Sequence, residues 1–103
     1  MKRVKRRYLA LQLETEGVPS EKEFMDAVWG AVARFYGEVG ASMTSLALIN
    51  LDMERKVVVI RTSLAVLDSV RASLASITSV AGKEASLHVL GVSGTIKALL
   101  EQL

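Results

Sequence analysis

The hydrophobic pattern of this 103-residue chain changes period along its length, and the order of those periods leaves few folds open. Tyr8–Leu13 alternates, with Leu9, Leu11 and Leu13 on one side and Tyr8, Ala10 and Gln12 on the other, as in a half-buried strand. After the loop Glu16–Ser20, the spacing S-x-x-E at Ser20 and Glu23 forms a capping box that starts a helix. Phe24, Ala27, Val28, Ala31 and Phe35 then recur at helical spacing, and Gly37 supplies a stop. Thr44–Leu51 and Lys56–Thr62 read as strands around the turn Asp52–Arg55. The unbroken VVVI of the second marks a central strand covered on both faces. A helix fits from Leu64, through Leu67, Val70, Leu74 and Ile77, ending before Gly82. Ala85–Val92 reads as a fourth strand, and Thr95–Leu103 as a short amphipathic helix through Ile96, Leu99, Leu100 and Leu103.

Strand, helix, strand, strand, helix, strand is the split β-α-β repeat. It predicts an α+β, ferredoxin-like fold of the RNA-recognition-domain type, a β-α-β-β-α-β sandwich with an antiparallel four-stranded sheet, two helices on one face and a C-terminal helix. The expected organisation is one domain at 8–103 behind a basic arm at 1–7. The second face of the sheet carries Ala47, Ile49, Lys56 and His88, and is expected to be covered by the terminal helix or by another protein. Such a fold hosts many activities, so function has to come from the residues.

Charge is the first of these signals. Residues 1–7 hold Lys2, Arg3, Lys5, Arg6 and Arg7, five of the thirteen cations and none of the acids. The remaining chain sets eight cations against eleven acids, a net of −3. Cations clustered in this way suit a polyanion, because they release counterions when they meet phosphates. The bland alternative is a solvated tail. A secretion signal is not expected: the apolar run after the cations breaks at Gln12 and meets Glu14 and Glu16. No stretch approaches the ~20 apolar residues of a membrane span. The absence of cysteine removes disulfides and thiolate sites, and makes an intracellular, cytoplasmic setting the expectation.

The inventory for catalysis is thin. His88 is the sole histidine and lies mid-strand, where packing or hydrogen bonding explains it more simply than chemistry. Carboxylates do not cluster at metal-ligand spacing, and no G-x-S-x-G or S-x-x-K pattern activates a serine. No catalytic residue and no metal site are therefore assigned. GVSGTIK lacks the spacing of a nucleotide-binding phosphate loop. It reads as a strand-to-helix joint capped by Ser93 or Thr95, and also as a place where one backbone phosphate could meet free amides beside Lys97.

RNA-recognition domains stack bases on aromatics of their central strands. Here KVVVIRTS holds none, and Tyr8 is the one candidate platform, so phosphates contacted by the arm and by Arg61 would dominate any RNA binding. Only 5% of residues are aromatic, which makes a second apolar row on the first helix conspicuous: Met25, Trp29, Val32 and Tyr36. Either that helix is deeply buried, or the row anchors a partner. Ser69, Ala72, Ser73 and Ser76 form a small-residue face on the second helix.

KRRYLAL at the start, AVWGAVARFYGEVGAS across the first helix, VVIRTSLAVLDSVRASLASI, and VLGVSGTIK near the end resemble protein component 2 of archaeal ribonuclease P, a family with counterparts in the eukaryotic ribonuclease P and MRP particles. The resemblance runs through nearly the whole chain in order. It departs at Tyr36, before Gly37, and in the extra cations of the arm. It implies a ribonucleoprotein that removes the 5′ leader of precursor tRNA with RNA as the catalyst, Mg²⁺ on the RNA, and no cofactor on this chain. It further implies a partner, protein component 3 of the same particle, self-association into a two-plus-two heterotetramer, and no membrane. RNA contact is carried onto Lys5, Arg6, Arg7 and Tyr8, with Lys2 and Arg3 of the same arm, and onto Arg61 and Lys97. Partner contact is carried onto Met25, Trp29 and Tyr36. Alternatives are another RNA-binding protein of this fold, such as a ribosome-associated factor, and a ligand-binding regulatory domain.

Overall fold

A computed structural model describes residues 5–17, 19–42, 46–52 and 54–103, with the backbone alone at 35–36 and 38–42. Lys2, Arg3 and the side chains of Phe35 and Tyr36 lie outside the described residues. The elements are β1 (Arg6–Thr15), α1 (Glu21–Ser42), β2 (Ala47–Asp52), β3 (Val57–Ser63), a 3₁₀ turn (Leu64–Val66), α2 (Leu67–Ala75), β4 (Ser79–Val80), β5 (Lys83–Ser93) and α3 (Ile96–Glu101). The sheet order is β2-β3-β1-β5-β4, and the described pairings are antiparallel. Setting the two-residue β4 aside, this is the ferredoxin-like arrangement.

The capping box forms as spaced. The Ser20 amide donates to Glu23 Oε1 at 3.0 Å, and the Glu23 amide donates to Ser20 Oγ at 3.1 Å. The backbone amide of Ser20, followed by its hydroxyl, holds the Glu23 carboxyl below the ordinary carboxylate range. Gly37 interrupts α1 with φ 73° and ψ 172°, a backbone only glycine takes without strain, but helix resumes to Ser42 instead of stopping. The second strand is described from Ala47, and Thr44, where it was expected to begin, lies outside the described residues.

The larger correction concerns α2. Helix was expected to run to Gly82, yet it ends at Ala75. Ser73 Oγ donates to the Ser69 carbonyl at 2.9 Å and Ser76 Oγ to the Ser73 carbonyl at 2.6 Å, local bonds that compete with helix. The β-branched residues that follow lead into β4, and Ala81 (φ 53°) and Gly82 (φ 79°) make a tight turn into β5. The sheet therefore has five strands where four were expected. Ser73 is fully buried, so the small-residue face does not survive as one open surface.

Two cores sandwich the sheet. The main one gathers Leu9, Leu11 and Leu13 of β1, Phe24, Val28, Ala31 and Val32 of α1, Val58 and Ile60 of β3, and Val70 and Leu74 of α2. Against it Met25 and Trp29 are half buried. The second lies on the opposite face, where Leu99 of α3 packs on Ala10 and Val59, with Tyr8 and Ile49 at its margin. A Cβ on Gly91 would lie 3.5 Å from Leu99 Cδ1 and 2.6 Å from Gln102 Oε1, so glycine there lets α3 sit close. The solvent side of α1 carries one weakness: Gly30 is mid-helix and exposed, with open space where an alanine methyl would sit. Gly30→Ala is expected to stabilise the protein by about 1 kcal/mol. Thermal unfolding followed by circular dichroism would then rise by roughly 4–8 °C.

Candidate nucleic-acid interface

Antiparallel register brings the scattered basic positions to one end of the sheet. Arg6 pairs with Ser63, Arg7 with Thr62 and Tyr8 with Arg61, while on the other side Tyr8 pairs with Ser93. The Leu64 amide donates to the Lys5 carbonyl at 2.7 Å, which ties the start of β1 to the end of β3. The β5–α3 joint with Lys97 follows directly from Ser93, and a Cβ on Gly94 would lie 3.4 Å from Arg7 Nη1. Lys5–Tyr8, Arg61 and Ser93–Lys97 therefore share one edge of the molecule, although they are far apart in the chain.

No carboxylate pairs with these cations among the described residues. The ion pair the described residues contain is His88 Nε2 with Glu14 Oε2, at 3.5 Å, on the sheet face that α3 leaves bare. Arg7 Nη1 donates to the Arg6 carbonyl at 2.9 Å, a local contact that leaves its charge uncompensated. Lys5, Arg6 and Lys97 are exposed; Arg7, Tyr8 and Arg61 are half buried. Arg61 is unusual, because its Nε is buried with no hydrogen-bond partner.

Acids gather at the other end. Glu14 lies near the end of β1 and Glu16 just beyond it, Glu21 and Glu23 open α1, and Glu84 is the second residue of β5. Glu14, Glu16 and Glu84, with Lys83 among them, line a shallow cleft there. Among the described residues no group of His, Asp and Glu could hold a metal ion. No helix among them is long and apolar enough to cross a membrane. The chain is thus electrically polarised along its strands, a distribution that orients a protein as it approaches a polyanion.

Four expectations change in detail. The phosphate cradle at the β5–α3 joint is largely spent inside the chain: Thr95 Oγ1 accepts from the Ala98 amide at 3.2 Å, and Ser93 Oγ accepts from the Thr95 amide at 3.4 Å. Lys97 stands beside it as an exposed point charge. His88 is not packed but 58% exposed. Lys56 belongs to the β2–β3 turn, with φ 53° and its Nζ donating to the Thr15 carbonyl. The second row of α1 divides: Val32 is fully buried, Met25 and Trp29 are half buried against the main core, and the Tyr36 side chain is outside the described residues. Ser93 and Gly94 read from sequence only as a joint. Their place beside Tyr8 and Arg7 comes from register, and the one local hint is glycine on either side of Ser93.

The model of the Rpp14/Pop5 family matches residues 7–103. Ribonuclease P protein component 2 of Methanosarcina mazei is 37% identical over 100 residues, covering 97% of this chain and 84% of that protein. Its counterpart from Pyrococcus furiosus is 35% identical over 97 residues, covering 94% and 81%. Among solved structures, a chain in the cryo-electron microscopy structure of yeast ribonuclease MRP matches with a TM-score of 0.73 at 15% identity, covering 99% of this chain and 93% of that one, a likeness of fold.

Proposed function

Because this chain belongs to the Rpp14/Pop5 family, we propose that it acts as a non-catalytic protein subunit of ribonuclease P, an RNA-based endonuclease that removes the 5′ leader of precursor tRNA. A protein subunit of the ribonuclease P/MRP type is what the family and its relatives indicate. In this role the chain binds and stabilises the catalytic RNA together with protein component 3. The observation that carries it is the unneutralised basic end: Lys5, Arg6, Arg7, Arg61 and Lys97 converge with no carboxylate among the described residues to balance them.

The mechanism follows from electrostatics. A folded catalytic RNA packs phosphates close together, and their repulsion must be offset by Mg²⁺ or by protein cations. Cations held at one end of a rigid sheet offset it at a fixed place, and the displaced counterions make binding strongly salt-dependent. This lowers the Mg²⁺ concentration the RNA needs in order to fold. Mg²⁺ itself belongs to the RNA, where it would supply Lewis-acid chemistry. The acidic end keeps the molecule from lying flat on RNA and leaves the helical layer free for protein. Met25 and Trp29 on that layer, with Tyr36, are the assigned contacts to component 3. Self-association to a heterotetramer and action in the cytoplasm complete this proposal.

The test is single-turnover cleavage of a precursor tRNA at limiting Mg²⁺, with ribonuclease P RNA and component 3, with and without this chain. Cleavage at the mature 5′ end is expected only when both proteins are present. Folded proteins and intact RNA that give no rescue would overturn the assignment.

A further inference from the structure

Tyr8 and Arg61 are cross-strand partners on the sheet face beneath α3. Antiparallel partners stand about 5 Å apart at Cβ. Ala47 pairs with Arg61 on its other side, so the cross-strand neighbours of Arg61 are an aromatic residue and an alanine. Its Nε is buried and unpaired in the free chain. A charged donor taken from water without an acceptor is costly, and an apolar residue would fill the same slot without that cost. An arginine held in this state is ready for an anion.

The cover over this face is slight. α3 has six residues, fewer than two turns, and a helix that short forms only while docked. One fully buried side chain, Leu99, holds it. Gln102 Nε2 reaches the Val92 carbonyl only at 3.5 Å. The helix leaves Ile96 and Leu100 exposed, at 38% and 55%, with Leu103 just beyond it at 45%. An element held by so few contacts opens locally, well below the free energy of global unfolding.

We propose that α3 is a lid over a nucleotide-binding patch formed by Tyr8 and Arg61, and that one unpaired ribonucleotide docks there when the helix lifts. The base lies against the Tyr8 ring and the phosphate takes the Arg61 donors, Nε included. The inference rests on the RNA-binding reading of the basic end and adds the class of RNA to it: the arm meets phosphates of any RNA, whereas this patch requires a base free to leave its stack. Stacking on an aromatic ring accepts any base, so the patch selects single-strandedness and not sequence.

The experiment compares binding of the full chain to an oligouridylate carrying one fluorescent adenine analogue and to a fully paired RNA duplex of equal length. Tyr8→Leu is expected to lower the ratio of single-strand to duplex affinity by roughly tenfold and to abolish the quenching that reports stacking. Tyr8→Phe keeps both. Arg61→Lys, which retains charge but not the fork, lowers the same ratio. Leu99→Ala acts in the opposite direction and raises single-strand affinity, because less of the protein is held in the closed state. Circular dichroism checks that each variant is folded. Equal loss for both RNAs in Tyr8→Leu, persistent quenching, or weaker single-strand binding in folded Leu99→Ala would overturn the lid and patch while leaving the arm's role intact. If the wild-type chain bound neither RNA, the RNA-binding reading itself would fall.

Discussion

Removal of residues 1–7 is expected to lower affinity for ribonuclease P RNA on the order of a hundredfold at roughly 50 mM salt, and to flatten the salt dependence. The segment contains Lys2, Arg3, Lys5, Arg6 and Arg7. Each phosphate contact adds about 0.7–0.9 to the slope of log affinity against log salt, so five contacts account for ~3.5–4.5 of it. Filter binding across a salt series measures both quantities together. Lys5, Arg6 and Arg7, the described residues of this segment, are not part of the core, so the melting temperature should fall mainly by what the first pairs of β1 contribute. To separate charge from strand pairing, Lys5, Arg6 and Arg7 can be replaced by glutamine in the full chain. The slope should then flatten by about 2–3, with β1 still free to pair. An unchanged slope in both variants would mean that the arm is a solvated tail.

Phe24→Ala is expected to bring the largest loss of stability. Phe24 is fully buried and heads the main core, between the first turn of α1 and the sheet. Emptying such a site costs about 3–5 kcal/mol, the transfer loss plus the cavity left behind. Small domains have only ~5–15 kcal/mol in total, so this variant should melt some 15–30 °C lower and be partly unfolded at physiological temperature. Leu99→Ala makes a useful contrast, although Leu99 is as deeply buried. Its cluster with Ala10 and Val59 serves α3 alone, so the loss cannot exceed what holds that helix down. Amide hydrogen exchange should show α3 exposed and the sheet still protected. Global unfolding of Leu99→Ala at a temperature matching Phe24→Ala would show instead that the two cores form one cooperative unit.

Local periodicity carried most of the secondary structure. Leu9, Leu11 and Leu13 point into the main core as their alternation requires, and Phe24, Val28 and Ala31 line one stripe of α1. Ser20 and Glu23 cap that helix because a capping box needs only its own four residues. Errors came where two local preferences competed. Ser73 and Ser76 turn back on the α2 backbone and end the helix early, and the positive φ of Ala81 and Gly82 then folds the chain into a hairpin. Alanine gives no sign that it will adopt such a backbone, so β4 had no signal in the sequence.

The candidate interface divides along the same line. The basic arm and the lack of catalytic side chains are properties of composition, and they follow from the residues alone. Which cations share a surface depends on strand order and register, which are set by packing across the whole sheet. Arg61 meets Tyr8, and Ser93 joins them, because β3, β1 and β5 lie side by side with those residues in line. Nothing within a few positions of Arg61 encodes that meeting, nor the burial of its Nε, nor the narrow cover of α3 held by Leu99 against Ala10 and Val59. Periodicity is a short-range property, whereas the neighbours of a strand are chosen by the free energy of closing long loops around one shared core.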